Sequence, residues 1–151
     1  MSMNCNSILL VEDNPDDVAL FKRALHKAEL DYPLQVVGDG EAAIAYLSGE
    51  GLYADRNNHP LPRLVLLDLK LPRKSGHEVL EWMRSQPELR RLPVVVLTTS
   101  REISDINRAY DHCANSYLVK PFSFDGLMDM VRTLHSYWLK MNETAECRNQ
   151  N

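Results

Sequence analysis

An open α/β sheet of five parallel strands, wound with helices on both faces, is the fold this chain predicts, and three observations carry it. Runs such as Leu64-Val65-Leu66-Leu67 and Val94-Val95-Val96-Leu97 are apolar at every position. That is too continuous for a strand with one face in water, so they read as strands covered on both sides. Segments with helical spacing of apolar residues separate these runs, the alternation that builds parallel sheets. Nearly every run also ends in a polar residue capable of chemistry, and in open α/β sheets ligands bind outside the carboxyl ends of the strands. Right-handed crossovers and strand order 2-1-3-4-5 are the simplest topology.

The first strand, β1, is Ile8 to Val11, and it runs into Glu12-Asp13-Asn14-Pro15, where two acids meet a helix start. Pro15 suits a first helical position, and Val18, Leu20, Phe21, Leu25 and Ala28 recur with helical period, so α1 is expected to about Glu29. Strand β2 is Leu34 to Val37, and Gly38-Asp39-Gly40 turns into α2, which carries Ala42, Ala43, Ile44 and Leu47. From Gly49 to Arg63 no period is visible, and a loop of that length is either a partner contact or a tolerated excursion. Strand β3 (Leu64 to Leu67) follows, then α3 from about Ser75 with Val79, Leu80, Trp82 and Met83 until Pro87 stops it. Strand β4 (Val94 to Leu97) ends in Thr98. Helix α4, about Glu102 to His112, has few apolar residues and is expected to be the least firmly packed. Strand β5 is Tyr117 to Val119. Helix α5 runs from about Phe124 to Lys140, with a core stripe of Phe124, Leu127, Val131, Leu134 and Trp138.

The 151 residues suit a single domain spanning 1-151, with a core from about 7 to 140 and a polar tail at 142-151 expected to fray. A net charge of -4 argues against a general nucleic-acid binder, and no helix is free to read DNA. No apolar run reaches membrane-spanning length and MSMNCNS lacks the features of a signal peptide, so a cytoplasmic location with no membrane contact is expected. Cys5, Cys113 and Cys147 are scattered and read as free thiols, and His26, His59, His77, His112 and His135 read as surface or packing residues.

Chemistry gathers at one edge of this sheet. Asp68 is driven out of β3 ahead of a loop bracketed by Pro72 and Gly76, while Glu12 and Asp13, Thr98, and Lys120 arrive from the ends of β1, β4 and β5. Three carboxylates at one place repel unless a cation is present, so they predict a hard divalent ion, for which Mg²⁺ is the natural candidate. The same ion would neutralise a phosphoryl group arriving at Asp68, with Lys120 pairing one oxygen and the Thr98 hydroxyl donating to another.

With the acid pair after β1, the run Asp68, Pro72 and Gly76, the β4 Thr98, and Tyr117-x-x-Lys120-Pro121 on the page, the chain resembles the receiver domain of two-component response regulators over about residues 7 to 140. The resemblance implies a flavodoxin-like fold and an acceptor, rather than an enzyme, that assists its own phosphorylation and dephosphorylation. It implies that Asp68 takes phosphate from a phosphohistidine of a sensor histidine kinase. It further implies that Asp13, Asp68 and the Lys70 carbonyl ligate Mg²⁺, that Glu12 acts through water, and that Thr98 and Tyr117 form a switch. The long loop before β3 is similar to that of the small regulators paired with cyanobacterial and bacterial phytochromes. There are two departures from the family pattern: Cys113 replaces a common glycine after α4, where a left-handed cap is expected to be lost, and Lys70 and Ser100 occupy the two positions that in the family tune hydrolysis. The Lys120-Pro121 bond is expected to be cis.

A flavin carrier of the same topology would want a hydroxyl- and glycine-rich loop where Glu12-Asp13 stands, and a haloacid-dehalogenase-type phosphatase would want a second acid where Lys70 stands. The remaining alternative is a phosphate-independent dimerisation or docking module with a relic pocket. Helix α5 also carries Met130, Tyr137 and Met141 beside its core stripe, which itself spans roughly 80° of arc. Three such residues suggest a partner surface. The expectation is a homodimer through α4-β5-α5, with Tyr110 contributing.

Overall fold

The computed structural model describes residues 6–146; Cys5, Cys147 and the end of the polar tail lie outside the described residues. Five strands, Ile8–Val11, Leu34–Val37, Leu64–Leu67, Val94–Thr98 and Ser116–Val119, pair in parallel in the order β2-β1-β3-β4-β5. Every residue of β1, β3 and β4 is buried, as continuous apolar runs require.

Alternation along the strands divides the core in two. Leu9, Val11, Val65, Leu67, Val94 and Val96 face α2 (Gly40–Ser48) and α3 (Gly76–Ser85), where they meet Ala43, Leu47, Val79, Leu80 and Met83. Ile8, Leu10, Leu64, Leu66, Val95 and Leu97 face α1 (Pro15–Lys27) and α5 (Phe124–Leu134), where they meet Phe21, Ala24, Met128 and Val131. Truncating one of these, such as Leu66→Ala, is expected to cost about 2–5 kcal/mol through the cavity left behind.

Local chemistry starts four of the five α-helices. The Asn14 side chain accepts from the amides of Asp16 and Asp17, and Pro15 takes the first turn, where its missing N–H is harmless. Asp39, Ser75 and Ser123 cap α2, α3 and α5 in the same way. Helix α4, Ile103–Asp111, has no side-chain cap from Glu102 and buries Ala109 alone, in keeping with its thin apolar content.

The stretch from Gly49 to Arg63 lacks a period but not structure. It contains a 3₁₀ turn at Gly51–Ala54 and is clamped by Arg56, whose guanidinium donates to the carbonyls of Tyr46, Leu47 and His59 at 2.7, 2.9 and 3.1 Å. The Tyr46 hydroxyl adds a bond to the Pro60 carbonyl at 2.8 Å.

Four sequence expectations need correction. Helix α1 stops at Lys27, with Glu29 left-handed at φ 57°. Helix α5 gives way to a π-helical stretch, His135–Met141. One π turn spans five residues, so the core position after Leu134 falls on Leu139, which is buried, while Trp138 is only partly so. The Lys120-Pro121 bond is trans, since no cis peptide occurs among the described residues; the four-carbon stem of Lys120 reaches the site without a chain reversal. Cys113 itself takes the left-handed conformation, φ 65°, so the turn after α4 survives without glycine. Arg84 holds that turn by donating to the Cys113 carbonyl at 3.1 and 2.9 Å.

Candidate functional site

Parallel register brings four strand ends together. Val11 lies beside Leu67, Leu67 beside Val96, and Thr98 beside Val119. The ladder then continues one residue further: the Glu12 amide donates to the Val37 carbonyl at 3.0 Å, Asp68 to Val11 at 3.1 Å and Lys120 to Thr98 at 2.8 Å. The backbone of Glu12, Asp68, Thr98 and Lys120 is therefore fixed by the sheet rather than by loops. Gly76 closes the arrangement, because a Cβ there would stand 2.2 Å from the Asp68 carbonyl oxygen. Only glycine lets α3 begin so near Asp68.

Glu12 and Asp68 are buried and Asp13 is exposed, and one carboxylate oxygen from each lies within 4.8 Å of the other two. Lys120 reaches across them. Its ammonium donates to Asp68 and Asp17 at 2.9 Å each, and to Glu12. The Lys70 amide donates to Asp68 at 3.3 Å and the Asn14 amide to Glu12 at 3.1 Å. Burial pushes Glu12 above the usual carboxylate range, and Lys120 and the Asn14 amide offset this only in part. Burial alone would lower the Lys120 ammonium, but its bonds to Glu12, Asp17 and Asp68 outweigh that and hold it above its ordinary value.

Oxygen donors at this spacing suit a hard divalent cation, and the two buried carboxylates gain most from one. The expected residues Glu12, Asp13, Asp68 and Lys120 thus come together. Asp17, the fourth acid at the site, was not expected. It lies one helical turn beyond Asp13, and that spacing is the signal that could have found it.

Thr98 is wholly buried at the end of β4, and its hydroxyl has no hydrogen-bond partner among the described residues. Tyr117 is half-buried, its phenol donating to the Ser100 carbonyl at 3.0 Å, and burial pushes that phenol upward. The residues expected at an interface differ in exposure. Tyr110, Tyr137 and Met141 are 48%, 50% and 71% exposed, while Met130 is half-buried and packs in part against the α1-α5 core. Met130 and Tyr137 line a groove with Ser116 and Leu118 of β5, of which Tyr110 and Met141 are not part.

A five-stranded parallel sheet thus gathers an acid trio and a lysine at its carboxyl edge, an arrangement suited to a hard cation beside a carboxylate. The response regulator receiver domain family matches residues 8–132, and the chain belongs to that family. It is 43% identical over 133 residues to response regulator Rcp1 of Synechocystis sp., covering 88% of each chain. Among solved structures, it resembles the phosphorylated cyanobacterial phytochrome response regulator RcpA, with 39% identity, a TM-score of 0.86 and coverage of 95% and 100%. The Mn²⁺-bound form of Rcp1 is similar at 40% identity and a TM-score of 0.83, with coverage of 93% and 99%. No helix among the described residues is long and apolar enough to cross a membrane.

Proposed function

We propose that this chain is a single-domain response regulator, its core at about residues 7 to 140, that receives a phosphoryl group on Asp68 from the phosphohistidine of a sensor histidine kinase. The observation that carries this reading is the Lys120 ammonium shared among Glu12, Asp17 and Asp68 at the strand ends. An Asp68 carboxylate oxygen attacks phosphorus, the P–N bond to the imidazole breaks, and the ring nitrogen keeps the electron pair. Lys120, already 2.9 Å from Asp68, pairs one phosphoryl oxygen, and the orphan hydroxyl of Thr98 donates to another. A buried hydroxyl without a partner is costly by about 1–3 kcal/mol, so the acceptor supplied by phosphate favours the movement of Thr98. Tyr117 follows it as the second member of the switch.

Asp13, Asp68 and the Lys70 carbonyl would hold Mg²⁺, with Glu12 acting through water. When bound, that ion neutralises charge developing on the phosphoryl oxygens. The likeness to phytochrome response regulators supports a phytochrome-type kinase as donor. We assign the output to the α4-β5-α5 face, through a homodimer involving Tyr110, Met130, Tyr137 and Met141, in the cytoplasm and without direct DNA or membrane contact.

Titration with beryllofluoride and Mg²⁺, which together mimic the aspartyl phosphate, tests the pocket through the fluorescence of Trp82 and Trp138. A saturable response that Asp68→Asn removes is expected. A response absent from the parent chain would reduce the pocket to a relic.

A further inference from the structure

Side chains of α3, α4 and the loop after β4 lead in a line to the switch residue Tyr117 through contacts that the phosphoryl-transfer reading does not use. His77 of α3 places Nε2 3.2 Å from one oxygen of Asp105 in α4. The other Asp105 oxygen accepts the Ser100 hydroxyl at 2.6 Å, and the Ser100 carbonyl accepts the Tyr117 phenol at 3.0 Å. We propose that His77 and Asp105 are positioning residues that hold the Ser100 carbonyl where the Tyr117 phenol binds it, and so bias the switch before any phosphoryl group arrives. This rests on the switch reading of Thr98 and Tyr117 given above.

Helix α4 is weakly anchored at its start. Its first turn lacks a side-chain cap from Glu102, whose amide is held instead by the Ser100 hydroxyl at 3.3 Å. With only Ala109 buried, α4 has little else to fix the loop between β4 and itself. Asp105 supplies that fixation by accepting from Ser100 on one side and from His77 on the other. An ionised carboxylate can only accept, which places the His77 proton on Nε2. Nδ1 is buried without a partner among the described residues, so the one polar tie of this ring is to Asp105.

His77 is itself a firm anchor. It is 5% exposed and follows Gly76, whose backbone closes on the Asp68 carbonyl. None of the four residues is Asp68, Thr98 or Lys120, so the line needs no phosphoryl group in order to form. In the switch reading the phosphorylated state favours the Tyr117 ring bonded to the Ser100 carbonyl, so a change that lowers the population of that ring position weakens apparent affinity for the phosphoryl mimic in proportion.

The test uses the full chain carrying 3-fluorotyrosine, with the Tyr117 ¹⁹F resonance assigned by Tyr117→Phe and followed during titration with beryllofluoride and Mg²⁺. Asp105→Ala is expected to move the Tyr117 resonance away from its saturated position and to weaken beryllofluoride binding about fivefold. Asp105→Asn, which keeps an acceptor oxygen, should recover part of that loss. Ser100→Ala breaks the same link and should match Asp105→Ala, with the double variant no worse than either single one. A merely structural role would lower stability and leave resonance and affinity alone; that result, with the parent chain responding, overturns the proposal. If Asp105→Ala does not fold, Ser100→Ala decides by the same two readouts. A parent chain whose Tyr117 ignores beryllofluoride overturns the switch reading, and this inference with it.

Discussion

The ammonium of Lys120 lies 2.9 Å from the carboxylate of Asp68 and is shared with Glu12 and Asp17. One cation thus balances the charge of three acids at the carboxyl edge of the sheet. Removing it leaves two buried acids and their neighbours in mutual repulsion. Lys120→Met is expected to destabilise the metal-free protein by about 2 kcal/mol, below the usual range for a fully buried pair because this one is partly solvated. Mg²⁺ should stabilise the variant more than the parent. Urea melts with EDTA and with Mg²⁺ check both statements, and a variant as stable as the parent in EDTA would contradict them.

Cys113 holds φ 65°, a conformation disfavoured for a residue with a Cβ. Arg84 grips its carbonyl rather than its side chain, so the grip outlasts substitution. Cys113→Gly should therefore raise stability by about 0.5–1 kcal/mol, the relief of strain less the extra freedom of glycine in the unfolded chain. Denaturant midpoints measure it, and a loss of stability would show that the thiol matters.

His135 packs edge-on against Tyr32, ring centroids 5.2 Å apart, and burial followed by the nearby charge of Lys140 pushes its pKa below the ordinary 6.5. The unfolded chain therefore binds the proton first. Stability contributed by the neutral ring is whole above pH 6.5 and is lost as pH falls from there through the folded-state value. His135→Gln should flatten the stability profile in that window. Identical profiles for parent and variant between pH 5 and 7 would count against the assignment.

The proposed α4-β5-α5 homodimer makes a hydrodynamic prediction. Sedimentation velocity of the parent at about 100 μM should show a dimer in at least one of two states, with or without beryllofluoride and Mg²⁺. The double variant Tyr137→Ala, Met141→Ala should shift toward monomer. A parent that remains monomeric in both states sinks the dimer without touching the chemistry of Asp68.

Much of the fold was legible because its strands are apolar at every position; β1, β2 and β3 have the bounds that their residues suggested. Strand β5 starts one residue early, at Ser116, since an edge strand tolerates a polar side chain. The site was legible where chemistry sits at strand ends, because parallel register carries each end to the same edge. What was not legible depends on long-range closure. Arg56 clamps a stretch with no period by binding carbonyls up to ten residues away, and Asp17 joins Lys120 across the chain. The π turn is local, yet no spacing announced it, and it moved the core position from Trp138 to Leu139. The tie between His77 and Asp105 joins two helices, and neither residue stands out when its own segment is read alone.

The central claim is that Asp68 is the phosphoacceptor, because it is buried at the end of β3 between the other acids and Lys120. Phosphotransfer from a ³²P-labelled histidine kinase, phytochrome-type kinases first, tests it directly when parent and Asp68→Asn are compared with Mg²⁺ present. Label is expected on the parent, none on the variant and none on the parent in EDTA. Label appearing on Asp68→Asn at a comparable rate would contradict it.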